Sequence, residues 1–397
     1  MPGHAGTGGR DVIFAWEQCK LGDVCEEVSG NNGNVKGLPI LTISAANGWM
    51  NQKDRFSQVI AGNELKKYTL LKKGHLAYNH GNSKQAKYGT VFVQNLYDQA
   101  LVPRVYHSFK MKTENNPYYV EYYFATKKLD RELARLVTSG ARMDGLLNIN
   151  KKDFFKIKFE VPTPVEQSLI GTILQKLDQT ITLHEEKKRQ LERLKSALLQ
   201  KMFADKSGYP PVRFEGFSDK WEQVKYGEIF QRRSKMGVST PTLPSVEYDD
   251  INPGMGTLNK EPKSKGISKR GIYFNPGDVL FGKLRPYLKN WLFACFEGVA
   301  VGDFWVLTSS KIDHGFTYSL IQTPGFQYIA NLSSGSKMPR SDWGLVSNAR
   351  TFIPINHLEQ ERISSVLFGL DHAITLYEHK LEILNKIKSF LLQNMFI

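Results

Sequence analysis

The chain has 397 residues and a mass of 45.2 kDa, with 53 Lys and Arg against 39 Asp and Glu, a formal net charge of +14 and a pI near 9.4. A content of 41% hydrophobic, 12% aromatic and 23% charged residues is that of two or three folded domains and excludes a largely disordered protein. No run approaches the roughly 18 apolar residues of a membrane helix and the start MPGHAGTGGR lacks a signal peptide's apolar core, so a cytoplasmic protein without membrane contact is expected.

In chain order, residues 1–13 match nothing later and are set apart as a prefix, disordered or non-native. The first globular segment, 14–160, opens Trp16-Glu17-Gln18-Cys19-Lys20-Leu21-Gly22-Asp23-Val24, and residues 1–160 hold 23 basic against 15 acidic residues. Its runs 89–94 and 103–109 are β-branched and aromatic between Gly, Pro and Asn, which predicts strands. A helical stretch is expected over 118–138, and a loop over 78–88 mixes amide, basic and aromatic side chains. Segment 161–203 then carries apolar residues at Ile170, Leu174, Leu177, Ile181, Leu191, Leu194, Leu198 and Met202, a single helical stripe. The stripe turns polar at His184 and Lys188. Pro164 sits at its start and Ser207-Gly208-Tyr209-Pro210-Pro211 stops it.

The second half repeats the plan. Segment 204–353, with 19 basic against 14 acidic residues, has Trp221-Glu222-Gln223-Val224-Lys225-Tyr226-Gly227-Glu228-Ile229 near its start. Strands are expected at 271–274 and 303–308 and a helix over 317–332. Segment 354–397 is the second stripe, through Ile363, Leu367, Leu370, Ile374, Tyr377, Leu381, Leu384, Leu391 and Met395. Between 166–203 and 359–396, at a constant offset of 193, 19 of 38 positions are identical, which chance does not produce. Ser139-Gly140-Ala141-Arg142-Met143 is likewise echoed by Ser334-Gly335-Ser336-Lys337-Met338. The expectation is an α+β chain with an internal pseudo-two-fold repeat: two mixed α/β bodies separated by two long helices, which pair as an antiparallel coiled coil. About 40 helical residues span roughly 60 Å.

The basic excess lies on the two bodies, as expected if each meets a polyanion. Asn79, Lys84, Lys87 and Tyr88 in the first body, and Lys263, Lys265, Lys269, Arg270, Lys283 and Arg285 in the second, combine amides for base edges with cations for phosphate. Arg142 and Lys337, at matching places in both halves, suit backbone contact. Each also reads as a solvated surface charge.

Catalytic patterns are weak. Asn116-Pro117-Tyr118 lacks the second proline of an adenine-methylating motif. Gly6-Thr7-Gly8-Gly9 follows no strand, and no Gly-x-x-x-x-Gly-Lys-Ser/Thr occurs, so no nucleotide loop is read. Asp249-Asp250 with Glu261 and Lys263 only superficially resembles a metal nuclease core. The histidines show no ligand spacing, and Cys19, Cys25 and Cys295 form no Cys-x-x-Cys, so they are read as reduced core thiols. Neither cofactor nor metal is expected.

The duplicated Pro-x-Pro-x-Glu-Gln helix start (in the second copy Pro354-Ile-Asn-His-Leu-Glu359-Gln360, with one extra residue and no second proline), the Leu-Asp-x-x-Ile-Thr-Leu step (Leu177–Leu183 and Leu370–Leu376) and the Leu-Leu-Gln-x-Met-Phe end, alternating with two divergent basic bodies, resemble the specificity subunit of a type I restriction-modification enzyme. The resemblance implies that 14–160 and 204–353 are target recognition domains, each reading half of a split sequence in double-stranded DNA. It implies that helices 161–203 and 354–397 are the ruler between them, about 17 base pairs at most. Two adenine-N6 methyltransferase subunits would dock on those helices and motor-nuclease restriction subunits would join, the chain itself being non-catalytic. The alternatives are a specificity module of a differently organised methyltransferase-nuclease system, and a coiled-coil scaffold that binds no DNA and leaves the basic bodies unexplained.

Overall fold

The computed structural model describes residues 16–30, 35, 37–55, 62–81, 83–112, 114–138, 146–261, 268–332 and 338–396. It divides into two compact units, one of Met1–Thr182 with Glu382–Ile397 and one of Leu183–Leu381.

In the first unit a four-stranded antiparallel sheet runs in the order Cys25–Glu27, His107–Met111, Leu76–Asn79, Thr90–Val93. The pattern Leu76-Ala77-Tyr78 is buried throughout, because one face meets the helix Pro117–Ala125 and the other a smaller layer. That layer is the hairpin Leu41–Ser44 and Gly48–Asn51 with the pair Thr69–Lys72 and Gln99–Val102, closed around Leu41, Ile43, Leu71, Ala77 and Tyr106. The predicted strand over 103–109 begins only at His107, since Pro103 opens a turn closed by the Tyr106 N–H. The expected helix over 118–138 is broken into Pro117–Ala125 and Asp130–Leu136, with Lys127 between them in the left-handed region at φ 63°.

The second unit is built on two four-stranded sheets. One orders Gln231–Arg232, Phe304–Thr308, Val279–Gly282 and Trp291–Phe293; the other orders Met236–Val238, Arg270–Phe274, Gly298–Ala300 and Ser245–Val246, the last pair parallel. The helices His314–Ile321 and Pro324–Ala330 cover the first sheet through Phe316, Tyr318 and Phe326.

Both units contain the same frame. A two-stranded ribbon, Glu17–Lys20 with Lys158–Val161 in one and Glu222–Lys225 with Arg350–Ile353 in the other, feeds directly into a long helix. Each ribbon is followed by one helical turn whose acid accepts the backbone N–H at its start: Asp23 from Lys20 at 2.8 Å and Glu228 from Lys225 at 3.0 Å. The repeated Gly22 and Gly227 are explained by crowding. A Cβ would stand 3.1 Å from the Phe155 carbonyl in the first and 3.0 Å from the Ser347 side chain in the second.

The long helices are Pro164–Lys201 and His357–Asn394. Their polar starts are bolted to the bodies by the repeated Glu-Gln. Glu166 accepts the Trp16 indole N–H at 3.1 Å, and Glu359 accepts the Trp221 indole at 3.3 Å together with a bidentate Arg213 at 2.7 and 2.9 Å. Gln167 donates to the Pro162 carbonyl and accepts the Asn116 N–H at 3.1 Å; Gln360 donates to the Pro354 carbonyl and accepts the Asp313 N–H at 2.8 Å. Asn116 and Asp313 are the N-caps of the short body helices, so each glutamine joins two helix starts. At the other ends Met395 and Phe396 enter the core of the first unit, and Met202 and Phe203 that of the second.

Within the second unit, Lys188 pairs with Glu378 at 2.7 Å and Lys195 with Asp371, while the His184 and Tyr377 rings meet edge to face at 5.3 Å. Between the two ion pairs the contact advances from 188 to 195 on one helix and recedes from 378 to 371 on the other, an antiparallel register. The sequence stripe needs one correction here: Leu194 is 47% exposed and Lys195 is the buried residue. The steps 184, 188, 191, 195 and 198 hold the 3.6-residue period, and the Asp371 carboxylate compensates the buried ammonium.

Candidate nucleic-acid interface

In the first unit, the hydrogen bonds of the turn after Leu76–Asn79 decide which side chains are available. Asn79 is committed to its own structure: its amide donates to the Ile43 carbonyl at 3.1 Å and accepts the Gly81 N–H at 3.1 Å. Tyr88 is half-buried against the core, and its carbonyl accepts the Tyr78 hydroxyl at 2.5 Å. Gly89, at φ +86°, follows where a Cβ would strike the Asn79 carbonyl at 2.5 Å. Lys84 and Lys87 are left exposed on a turn closed by Ser83 and Ala86, Lys87 lying over the Tyr88 ring at 5.4 Å. That turn presents two cations to solvent on a rigid base.

In the second unit the candidates separate in the same way. The Lys269 ammonium is bonded to Glu247 at 2.7 Å, whereas Arg270 is exposed at the start of its strand. Residues 283–285 run antiparallel beside 339–341, through Arg285 N–H to the Pro339 carbonyl and Ser341 N–H to the Lys283 carbonyl, both 2.8 Å. This brings Lys283 and Arg340 to one acid, Asp303, at 3.7 and 2.8 Å. Tyr248 braces the junction, donating to the Asp303 carbonyl at 2.6 Å and accepting the Leu284 N–H at 3.1 Å; burial pushes its pKa up to about 12.

The turn Pro286–Leu288 projects from this base between Arg285 and Lys289, both left-handed at φ 49° and 59°. Such a backbone costs about 1 kcal/mol per residue and persists only where neighbours enforce it. Here the Lys289 N–H bonds the Pro286 carbonyl at 2.9 Å, and the Lys289 carbonyl accepts from Gly254 at 2.8 Å. The result is a fixed turn with exposed Arg285, Tyr287 and Lys289. Two cations flanking an aromatic ring can hold phosphates and stack on an exposed base or sugar.

Lys289 and Arg340 were not singled out by sequence. Lys289 could have been found from its place just past Arg285-Pro286-Tyr287; Arg340 depends on a pairing between distant segments. Arg142, Lys263, Lys265 and Lys337 lie outside the described residues, as does the rest of the repeated Ser-Gly motif up to Lys337.

The catalytic look-alikes have structural roles. Asn116 caps its helix, accepting the Tyr118 N–H at 2.9 Å. Asp250 is buried, accepts the Glu247 N–H and pairs with Lys260 at 3.1 Å. Among the described residues no group of three or more His, Cys, Asp and Glu could hold a metal. Burial pushes the Cys19 and Cys25 thiols up to about 11 and 12. Cys295 departs from the expected core position, because it lies exposed in the turn between Trp291–Phe293 and Gly298–Ala300. No described helix is long and apolar enough to cross a membrane.

Comparison with known proteins places this geometry. Residues 15–193 match the family described as type I restriction modification DNA specificity domain. The chain is 23% identical over 292 residues to the type I restriction enzyme MjaVIII specificity subunit of Methanocaldococcus jannaschii, covering 67% of each protein. It is 21% identical over 260 residues to the EcoDI specificity subunit of Escherichia coli, covering 58% of this chain and 55% of that one. In fold it is similar to the crystal structure of the type I restriction-modification system S subunit from M. genitalium, at a TM-score of 0.63 and 13% identity over 98% of both chains.

Proposed function

We propose that this chain, whose residues 15–193 match the family described as type I restriction modification DNA specificity domain, is the DNA-recognition subunit of a type I restriction-modification complex. In this reading the bodies at 14–160 and 204–353 each read one half of a bipartite target. The helices between and after them form an antiparallel coiled coil that fixes the spacing, and methyltransferase and restriction subunits supply the catalysis.

The observation that carries the reading is the duplicated frame. The family match covers the first half, and the second half reproduces its ribbon, its Trp–Glu bond, its Gln clamp on a helix cap and its Met-Phe end. A frame repeated around two bodies of different sequence is what two unlike half-sites require, since base choice resides in the divergent side chains of each body. The exposed cations of each body, Lys84 and Lys87 in one and Arg285 and Lys289 in the other, supply the phosphate contacts.

The helices also support two copies of one partner. Val165 and Ile173 are exposed in the first unit, and their counterparts 193 positions on, Leu358 and Val366, are exposed in the second; Leu194 and Ile387 form another such pair. Equivalent apolar positions left in solvent on two helices suit two identical docking helices.

The test is a map of N6-methyladenine in a host expressing the cognate methyltransferase with and without this chain. A split motif that appears only with the chain is expected. Identical methylation in both hosts would refute the assignment.

A further inference from the structure

Five of the identities between the long helices are charged, and the fold brings two of them, Asp178 with Asp371 and Lys195 with Lys388, together crosswise. In the first unit Asp178 receives Lys388 at 2.5 Å; in the second Asp371 receives Lys195. Each ion pair therefore joins one long helix to the other, and the same pair is made twice.

Each pair is also tied to its body. The Tyr122 hydroxyl, on the short helix Pro117–Ala125, donates to Asp178 at 2.9 Å. In the second unit Lys195 donates to Gln322, at the end of His314–Ile321, at 2.7 Å, and the buried Tyr318 stands beside the Asp371 carboxylate. Three elements thus converge on one polar point in each unit.

We infer that these two nodes, Tyr122–Asp178–Lys388 and Gln322–Lys195–Asp371, are positioning devices that fix where each recognition body sits along the helix pair, and so set the gap between the half-sites. The inference rests on the bipartite reading above. Its physical basis is the difference in directionality between the contacts. The Met-Phe ends and the leucine contacts are apolar, and apolar ridges offer several nearly equivalent seatings one turn apart. A charge-assisted hydrogen bond has a single geometry, and losing it discriminates between seatings by roughly tenfold to a hundredfold. Any shifted seating would leave Lys195 or Asp371, both buried, against apolar neighbours without a counter-charge.

The experiment uses the full chain co-expressed with its methyltransferase, reading the distribution of gap lengths among methylated sites for wild type, Tyr122→Phe, Asp178→Asn and Lys388→Arg. Tyr122→Phe and Asp178→Asn are expected to keep both half-sites while sites one base pair longer or shorter rise from background to about a tenth of the principal class. Lys388→Arg, which keeps the charge, is expected to hold the wild-type gap. A gap distribution unchanged in both Tyr122→Phe and Asp178→Asn overturns the inference. Loss of all methylation in Asp178→Asn with a wild-type gap in Tyr122→Phe also overturns it, since the node then serves folding alone. A wild-type map without a split motif refutes the bipartite reading itself, which is a distinct outcome.

Discussion

Glu121 accepts the Val93 N–H at 2.6 Å, and burial, with a smaller push from the Asp178 carboxylate, raises its pKa from 4.5 to about 7. A carboxyl whose folded pKa lies above its unfolded one holds its proton more tightly in the folded state. Stability is therefore lost as pH rises from about 4.5 through 7, by up to about 3 kcal/mol. Glu121→Gln keeps an acceptor for Val93 without a charge to bury. It is expected to be more stable than wild type at pH 8 and nearly equal to it at pH 4.5, measured by denaturant unfolding; an equal difference at both pH values would contradict the titration. At the proposed interface, Arg285 and Lys289 are exposed cations held by an enforced backbone. Replacing both by Ala in the assembled complex is expected to weaken binding to cognate and unrelated duplexes alike and to lower the salt slope by about 2. A loss confined to the cognate duplex would assign them to base reading instead.

The long helices work through their ends as much as through their length. Phe396 is buried against Tyr119 and Tyr123 at ring distances of 5.4 and 5.7 Å, with its carbonyl bonded to Lys128 at 2.8 Å. Phe396→Ala is expected to destabilise the first unit by about 3 kcal/mol, whereas Phe390→Ala, 62% exposed on the helix that ends just before Phe396, is expected to change stability by no more than about 0.5 kcal/mol; equal losses would place Phe396 outside the core. The helices, their repeat and their boundaries to within a few residues were legible in the sequence, because a stripe and a duplication are both one-dimensional patterns. What Glu166, Gln167, Glu359 and Gln360 bind was not, since their partners Trp16, Asn116, Trp221 and Asp313 lie 47 to 150 residues away. Lys195 was passed over for Leu194 because hydrophobicity alone places a leucine inside, and only the opposing Asp371 reverses that choice. Among the candidate DNA contacts, Lys84, Lys87 and Arg285 are exposed as their type suggests, but Asn79, Lys269 and Lys283 are each engaged by a neighbour that local sequence does not announce.

For the whole molecule, what repeats and what diverges follow different demands. Identity concentrates where an element must meet a fixed partner: the ribbon turn, the Glu-Gln bolts, the Asp–Lys pairs and the Met-Phe ends. The bodies share little because the first closes one four-stranded sheet with a small hairpin layer and the second closes two four-stranded sheets. A frame that tolerates two such different bodies is one on which, under the proposed function, recognition can change without rebuilding the scaffold. The division of the chain has a further consequence during synthesis. The second unit is a continuous stretch, Leu183–Leu381, whereas the first needs Glu382–Ile397, including Phe396, to complete its core. On the ribosome the amino-terminal body must therefore wait, its core open along the seat of Met395 and Phe396, while the body encoded after it closes first. A nascent chain cut short before Glu382–Ile397 would leave that seat empty, so the arrival of that segment is the step that seals the first unit.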